Sequence, residues 1–119
     1  PRLEEKVIAL VRAFGMEKRV IFSSFNNVSI LRCRRLAPEI DAGFLWKGPV
    51  IGQAGQYCRD NDVQFFMPDG NYLSDDIVAD FRAHGIRLAP WTANSLPEIR
   101  RLADWDVYCI NTNYPNLRK

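Results

Sequence analysis

His84-Gly-Ile-Arg-Leu-Ala-Pro-Trp-Thr-Ala-Asn-Ser-Leu-Pro-Glu98 reads, in order, as a helix stop, a strand, a turn and a helix start. Gly85 suits the left-handed residue just past a helix end, with His84 in the last turn beside the carbonyl dipoles. Residues 86–92 are an extended run that holds a proline and a large aromatic. Ser95-Leu-Pro-Glu98 matches a capping box, and Pro97 is tolerated inside the first helical turn. A strand that feeds a capped helix is half of a βαβ unit. The flanks decide whether the pattern repeats.

It does. Leu3, Val7, Ile8, Leu10, Val11 and Phe14 fall near helical spacing, and Gly15 ends that run. Residues 19–25 form a short apolar strand with little alternation, as expected when both sheet faces are covered. Asn26 or Asn27 can cap a helix that carries Val28, Ile30, Leu31 and Leu36 as far as Pro38. Residues 40–46 read as a second strand, and 47–56 as a glycine-rich loop leading to a short helix through Tyr57 and Cys58. Val63-Gln-Phe-Phe-Met67 is a third strand, stopped by Pro68-Asp-Gly70. Ser74 caps a helix with Asp75 and Asp76 at its positive end, and residues 107–112 supply a fifth strand. Strands alternating with helices predict right-handed crossovers and a parallel sheet, hence an α/β fold. About five such units in one domain over residues 1–119 are too few for an eight-stranded barrel, which needs about 250 residues. The chain is therefore either a small open sheet or the later part of a barrel.

Composition removes several function classes. With 47% hydrophobic and 25% charged residues the chain is an ordinary globular one. A net charge of +2 is too small to argue for nucleic acid or an anionic membrane. Arg32, Arg34, Arg35, Arg100 and Arg101 sit in helical patterns and read as a solvated face rather than a phosphate track. Cys33, Cys58 and Cys109 are odd in number and widely spaced, which predicts reduced thiols and a cytoplasmic setting. One histidine leaves no basis for a His-rich zinc site. No apolar run approaches a membrane span, and the opening Pro1-Arg-Leu-Glu-Glu-Lys6 does not read as a signal peptide. The Gly48, Gly52, Gly55 loop lacks a Gly-Lys-Ser/Thr ending, so it reads as a flexible loop and not a phosphate cradle.

Four blocks together resemble glycerophosphodiester phosphodiesterases: Ile21-Phe-Ser-Ser-Phe-Asn26, Ala37-Pro-Glu-Ile-Asp-Ala-Gly-Phe-Leu45, the stretch from His84 to Asn94, and Thr112-Asn-Tyr-Pro115. The resemblance implies the C-terminal portion of a TIM (β/α)8 barrel, from its third helix to its eighth strand. It also implies a metal-dependent hydrolase of lipid metabolism that turns a glycerophosphodiester and water into an alcohol and glycerol-3-phosphate. That family carries its His-Arg-Gly block, Glu-x-Asp pair, second histidine and Glu-x-Lys strand in the front half, and none of these occurs here. The divalent metal (Ca or Mg) that the resemblance implies would thus find no ligands in this chain, which is expected to lack catalytic residues and to be inactive in isolation. The sequence departs from the family at the last strand, where Asn113 replaces the usual Asp before Tyr-Pro and Tyr108-Cys109 replaces Asp-Gly.

The residues left to carry function stand at strand ends. Trp91 could line the glycerol pocket, as the resemblance suggests; a barrel's carboxyl face is its functional one. Ser24 and Phe25 end another strand on the same face, against the plainer readings of a turn hydroxyl and a lid on the core. Asn94 could point at the pocket or serve its loop, and Lys47 could meet a phosphate oxygen as a point charge or stand free in solvent. Asp69-Gly-Asn71 spells a turn before it spells a metal ligand. Two function classes stand: a truncated piece of a phosphodiesterase whose substrate is a glycerophosphodiester, or a non-enzymatic paralogue that binds a partner or itself. The outer strands, at residues 20–24 and 107–112, lack a Lys or Pro inside to blunt them. They predict either a homo-oligomer or pairing with a complementing chain.

Overall fold

The computed structural model describes residues 3–108. Four strands pair in chain order into one parallel sheet: β1 (Ile21–Ser24), β2 (Asp41–Trp46), β3 (Phe65–Pro68) and β4 (Arg87–Leu88). Helix α1 (Leu3–Ala13) precedes β1, while α2 (Asn27–Leu36), α3 (Ala54–Asp60) and α4 (Asp75–Ala83) make the crossovers. A single 3-10 turn (Gly70–Tyr72) follows β3, and α5 (Leu96–Ala103) follows β4. The expected α/β class with a parallel sheet is what the chain adopts.

Local chemistry sets the helix starts. Asn26, rather than Asn27, caps α2 by accepting from the Ser29 amide. The Ser74 and Ser95 hydroxyls accept from the amides of Ile77 and Glu98, and Ser95 Oγ also donates to Glu98 Oε1 at 3.0 Å, closing the capping box. Gly85 lies at φ +72°, the left-handed value that lets the chain turn out of α4.

Period-two alternation then sorts the strand side chains. Phe22, Ala42, Phe44, Phe66 and Leu88 face the helices and join Ile30, Ile40, Val63, Val78, Phe81 and Leu102 in the main core. Phe65, Met67 and Ala89 face the other way and gather Ile21, Leu45 and Trp91. Gly43 allows that second layer to close, because a Cβ there would lie 2.8 Å from both Phe65 Cβ and Met67 Cε. Below the sheet the buried Arg34 guanidinium donates to the carbonyls of Ile40 (2.6 Å), Asp62 (2.7 Å) and Pro38 (3.0 Å), and to Asp62 Oδ2 (2.7 Å). Arg34 is thus an interior tie, a correction to its reading as part of a solvated face.

The strands are shorter than the sequence suggests. Residues 19–25 shrink to β1, and residues 86–92 to the two residues of β4. Pairing nonetheless runs on: the amides of Arg87, Ala89 and Trp91 each donate at 3.0 Å to the carbonyls of Gln64, Phe66 and Pro68. Pro90 falls between two donors, where the missing N–H would face away from β3. Pro68, expected as a stop, is the last residue of β3 and pairs with Trp46. Of the expected fifth strand, Val107 and Tyr108 are not in a strand, although the Tyr108 amide donates to Leu88 O at 2.8 Å. Its remaining residues, with Thr112 and Asn113, lie outside the described ones.

Candidate functional site

Parallel strands bring their carboxyl ends to one edge, and four of the chain's loops leave from there. Ser24 and Phe25 follow β1, Lys47 follows β2, Asp69 follows β3, and Trp91 and Asn94 follow β4. Trp91 is the fixed point. Its backbone bridges Asp69, and its indole Nε1–H donates to Met67 O at 2.7 Å, so the ring is held against β3. The peptide joining Trp91 to Thr92 is cis. Phe25 meets the indole edge-on, with centroids 6.1 Å apart and planes at 87°. Phe25 is 57% exposed, so the pair presents an aromatic surface to the open side of the edge.

The other candidates stand around this pair on the same edge. Ser24 Oγ accepts from the Asn26 amide at 2.9 Å, which makes it the turn hydroxyl that leads into α2. Asn94 is exposed one residue before the α5 cap. Lys47 is exposed at the start of a loop that folds back where Trp46 Nε1–H donates to Pro49 O at 2.9 Å. From sequence, Asp69 reads as a turn residue. The structure adds that it bridges Trp91 while its carboxylate caps the 3-10 turn through the Asn71 amide. That pairing spans 22 residues, so no local signal could have found it.

Among the described residues, the histidine lies away from this edge, and no metal-binding cluster of acids stands at it. His84 Nδ1 lies 2.7 Å from Asp80 O and its Nε2 3.1 Å from Gln56 Oε1, so the imidazole ties α4 to α3 in the helix layer. Among the described residues no three His, Cys, Asp or Glu side chains come together as a metal would require. Asp69, the carboxylate at this strand end, is engaged by a backbone amide. Among the described residues the donor set does not fit a divalent ion. Neither described thiol is activated: burial raises Cys33, and burial with the nearby Asp80 charge pushes Cys58 up to about 12. Among the described residues, what this edge offers is the aromatic surface of Trp91 and Phe25.

The profile of the glycerophosphoryl diester phosphodiesterase family matches residues 2–117. A Bacillus subtilis glycerophosphodiester phosphodiesterase is 29% identical over 126 residues, covering 98% of this chain and 43% of that protein. A Bacillus subtilis protein described as uncharacterized protein YqiK is 32% identical over 115 residues, covering 95% of this chain and 47% of its own length. Among solved structures, a putative glycerophosphoryl diester phosphodiesterase from Silicibacter pomeroyi superposes with a TM-score of 0.89 at 28% identity. That match covers 97% of this chain and 41% of that one. An Oleispira antarctica phosphodiesterase in complex with the product sn-glycerol-3-phosphate shares the fold (TM-score 0.77, 21% identity), over 94% of this chain and 47% of that one. The chain thus spans about half the length of the curated relatives it matches, and its four-stranded sheet corresponds to part of a TIM barrel. On the extent of the profile match, the chain belongs to the glycerophosphoryl diester phosphodiesterase family.

Proposed function

We propose that this chain forms the aromatic wall of the substrate pocket in a cytoplasmic glycerophosphodiester phosphodiesterase, which splits its substrate with water into an alcohol and glycerol-3-phosphate. The observation that carries the reading is the pinned Trp91 with Phe25 edge-on to it, at the strand ends where barrel enzymes bind. Glycerol offers a short run of CH groups that an aromatic face covers well, and Trp91 and Phe25 take that part. Lys47 meets a phosphate oxygen as a point charge, and Ser24 and Asn94 offer hydrogen bonds to hydroxyls. Proton transfer and the divalent metal, Ca or Mg, belong to the other half of the barrel, supplied in the same protein or by a complementing chain.

The test is turnover of glycerophosphocholine by two proteins. One is the 119-residue chain alone, with Mg or Ca. The other carries the front half of the Bacillus subtilis phosphodiesterase joined ahead of Pro1. The first is expected to be inactive and the second active, with activity removed by chelator. Hydrolysis by the lone chain, lost on chelation and in His84→Ala, overturns the reading. A folded fusion without turnover assigns the chain to the non-enzymatic class.

A further inference from the structure

The lysine proposed to meet phosphate has no hold of its own. Lys47 is exposed, and among the described residues its ammonium makes no hydrogen bond or ion pair. A charge on so flexible a stem is aimed by its backbone or not at all. That backbone is fixed from the residue before it. Trp46 ends β2, in register with Pro68 of β3. Its indole packs against Phe66, with centroids 5.7 Å apart and planes at 36°, and Phe66 in turn stacks on Phe81. From that seat the indole Nε1–H donates to Pro49 O at 2.9 Å, closing a tight turn around Lys47 and Gly48. Gly48 makes the turn at φ +84°, a left-handed value that suits glycine. A Cβ there would meet nothing within 4 Å, so the glycine serves the turn and not the packing.

We infer that Trp46 is a positioning residue of the site: its indole, through Pro49 O, holds the turn that presents Lys47 at the carboxyl edge of the sheet. The inference rests on the proposed contact between Lys47 and phosphate, and it names what aims that contact. Strand alternation supplies the direction. Leu45 gathers with Trp91 and Trp46 with the helix-side core, so the next step returns to the Trp91 side at Lys47. The far end of the same loop has a separate tie. Gln53 is left-handed at φ 67° and its side chain gives α3 no cap; the Gly55 amide instead donates to Asp80 Oδ2 at 3.1 Å. Loss of the indole bond therefore frees residues 47–49 without unwinding α3.

The experiment is a double-mutant cycle on Trp46→Phe and Lys47→Ala, read as turnover of glycerophosphocholine by the fusion bearing the Bacillus subtilis front half. Trp46→Phe keeps an aromatic ring and removes the donor. It should raise KM roughly 3–10-fold, about the worth of one hydrogen bond, with kcat nearly unchanged. In the Lys47→Ala background the same substitution should change nothing, because no charge is left to aim. An equal effect in both backgrounds, or none in the parent, makes Trp46 a packing residue and overturns the inference. If Lys47→Ala raises KM and Trp46→Phe does not, the phosphate contact stands and the positioning role falls. If Lys47→Ala leaves KM unchanged, the phosphate contact fails and the positioning role fails with it. A fusion that folds without turnover is taken through the same cycle by its affinity for sn-glycerol-3-phosphate, on the same criteria. Should Trp46→Phe fail to fold, Gly48→Ala strains the same turn without a new contact. It should reproduce the rise in KM and its dependence on Lys47; a parental KM overturns the inference.

Discussion

The two faces of the sheet are made by the same strands and carry different kinds of residue. On the helix side Phe44, Phe66, Phe81, Ile30 and Ile40 are each no more than 2% exposed, and Phe66 stacks on Phe81 with centroids 4.5 Å apart. On the other side Phe65, Met67 and Ala89 are buried, and Ile21, Leu45 and Trp91 are half-covered. One residue of shift along a strand separates the two classes. The lesson is a division of labour: the helix side holds the fold, and the other side leaves more of its surface uncovered by the described residues.

That contrast should fail first, and most heavily, at Phe44. Phe44→Ala empties the centre of the helix side, where the ring also contacts Tyr57. The expected loss is about 3–5 kcal/mol, a large share of the about 5–15 kcal/mol that holds a domain together. Urea unfolding of Phe44→Ala beside Leu45→Ala reads it directly. Equal losses would mean that the two faces carry stability alike.

Trp91→Ala sharpens the contrast from the other direction. In the completed enzyme it should lower kcat/KM by about 1–3 kcal/mol, or roughly 10–200-fold, by removing apolar contact and positioning. Steady-state kinetics with circular dichroism as a fold check decide it. Unchanged kinetics in a folded protein return Trp91 to a packing role.

The smallest effect lies away from both faces, at the exposed Arg12–Glu39 pair, whose Nε and Oε2 are 2.7 Å apart. The hydrogen bond from Arg12 holds the Glu39 carboxyl below its ordinary value. A carboxyl depressed in the folded state stabilises above its unfolded value, and that contribution is lost as pH falls through the folded one. Arg12→Ala should therefore melt slightly below the parent at neutral pH, with the gap closing in acid. Scanning calorimetry across pH measures it, and a gap that widens in acid contradicts the assignment.

Much of this is legible in the sequence because it is local. The caps at Asn26, Ser74 and Ser95 and the left-handed Gly85 depend on residues within one turn, and the order of elements follows from them. Strand bounds are less legible, since the end of β4 is set by which β3 carbonyls its amides reach. Gly43 reads as an ordinary strand glycine until Phe65 and Met67 close over it from 22 and 24 residues away. At the site, Trp91 and Phe25 can each be named from their places at strand ends. Their edge-on contact, and the indole bond to Met67 O, arise only when all four strands align. Arg34 escapes a reading from sequence because a helical pattern shows where an arginine starts and not where its guanidinium ends.

That guanidinium bears on how the structure comes apart. Arg34 holds carbonyls at residues 38, 40 and 62 at once, so it links the end of α2, the approach to β2 and the turn after α3. Opening any one of these alone would strand a buried charge or a carbonyl without its donor. The stretch from α2 to the start of β3 should therefore breathe as one cooperative unit, its amides exchanging together, and not as three turns that fray independently.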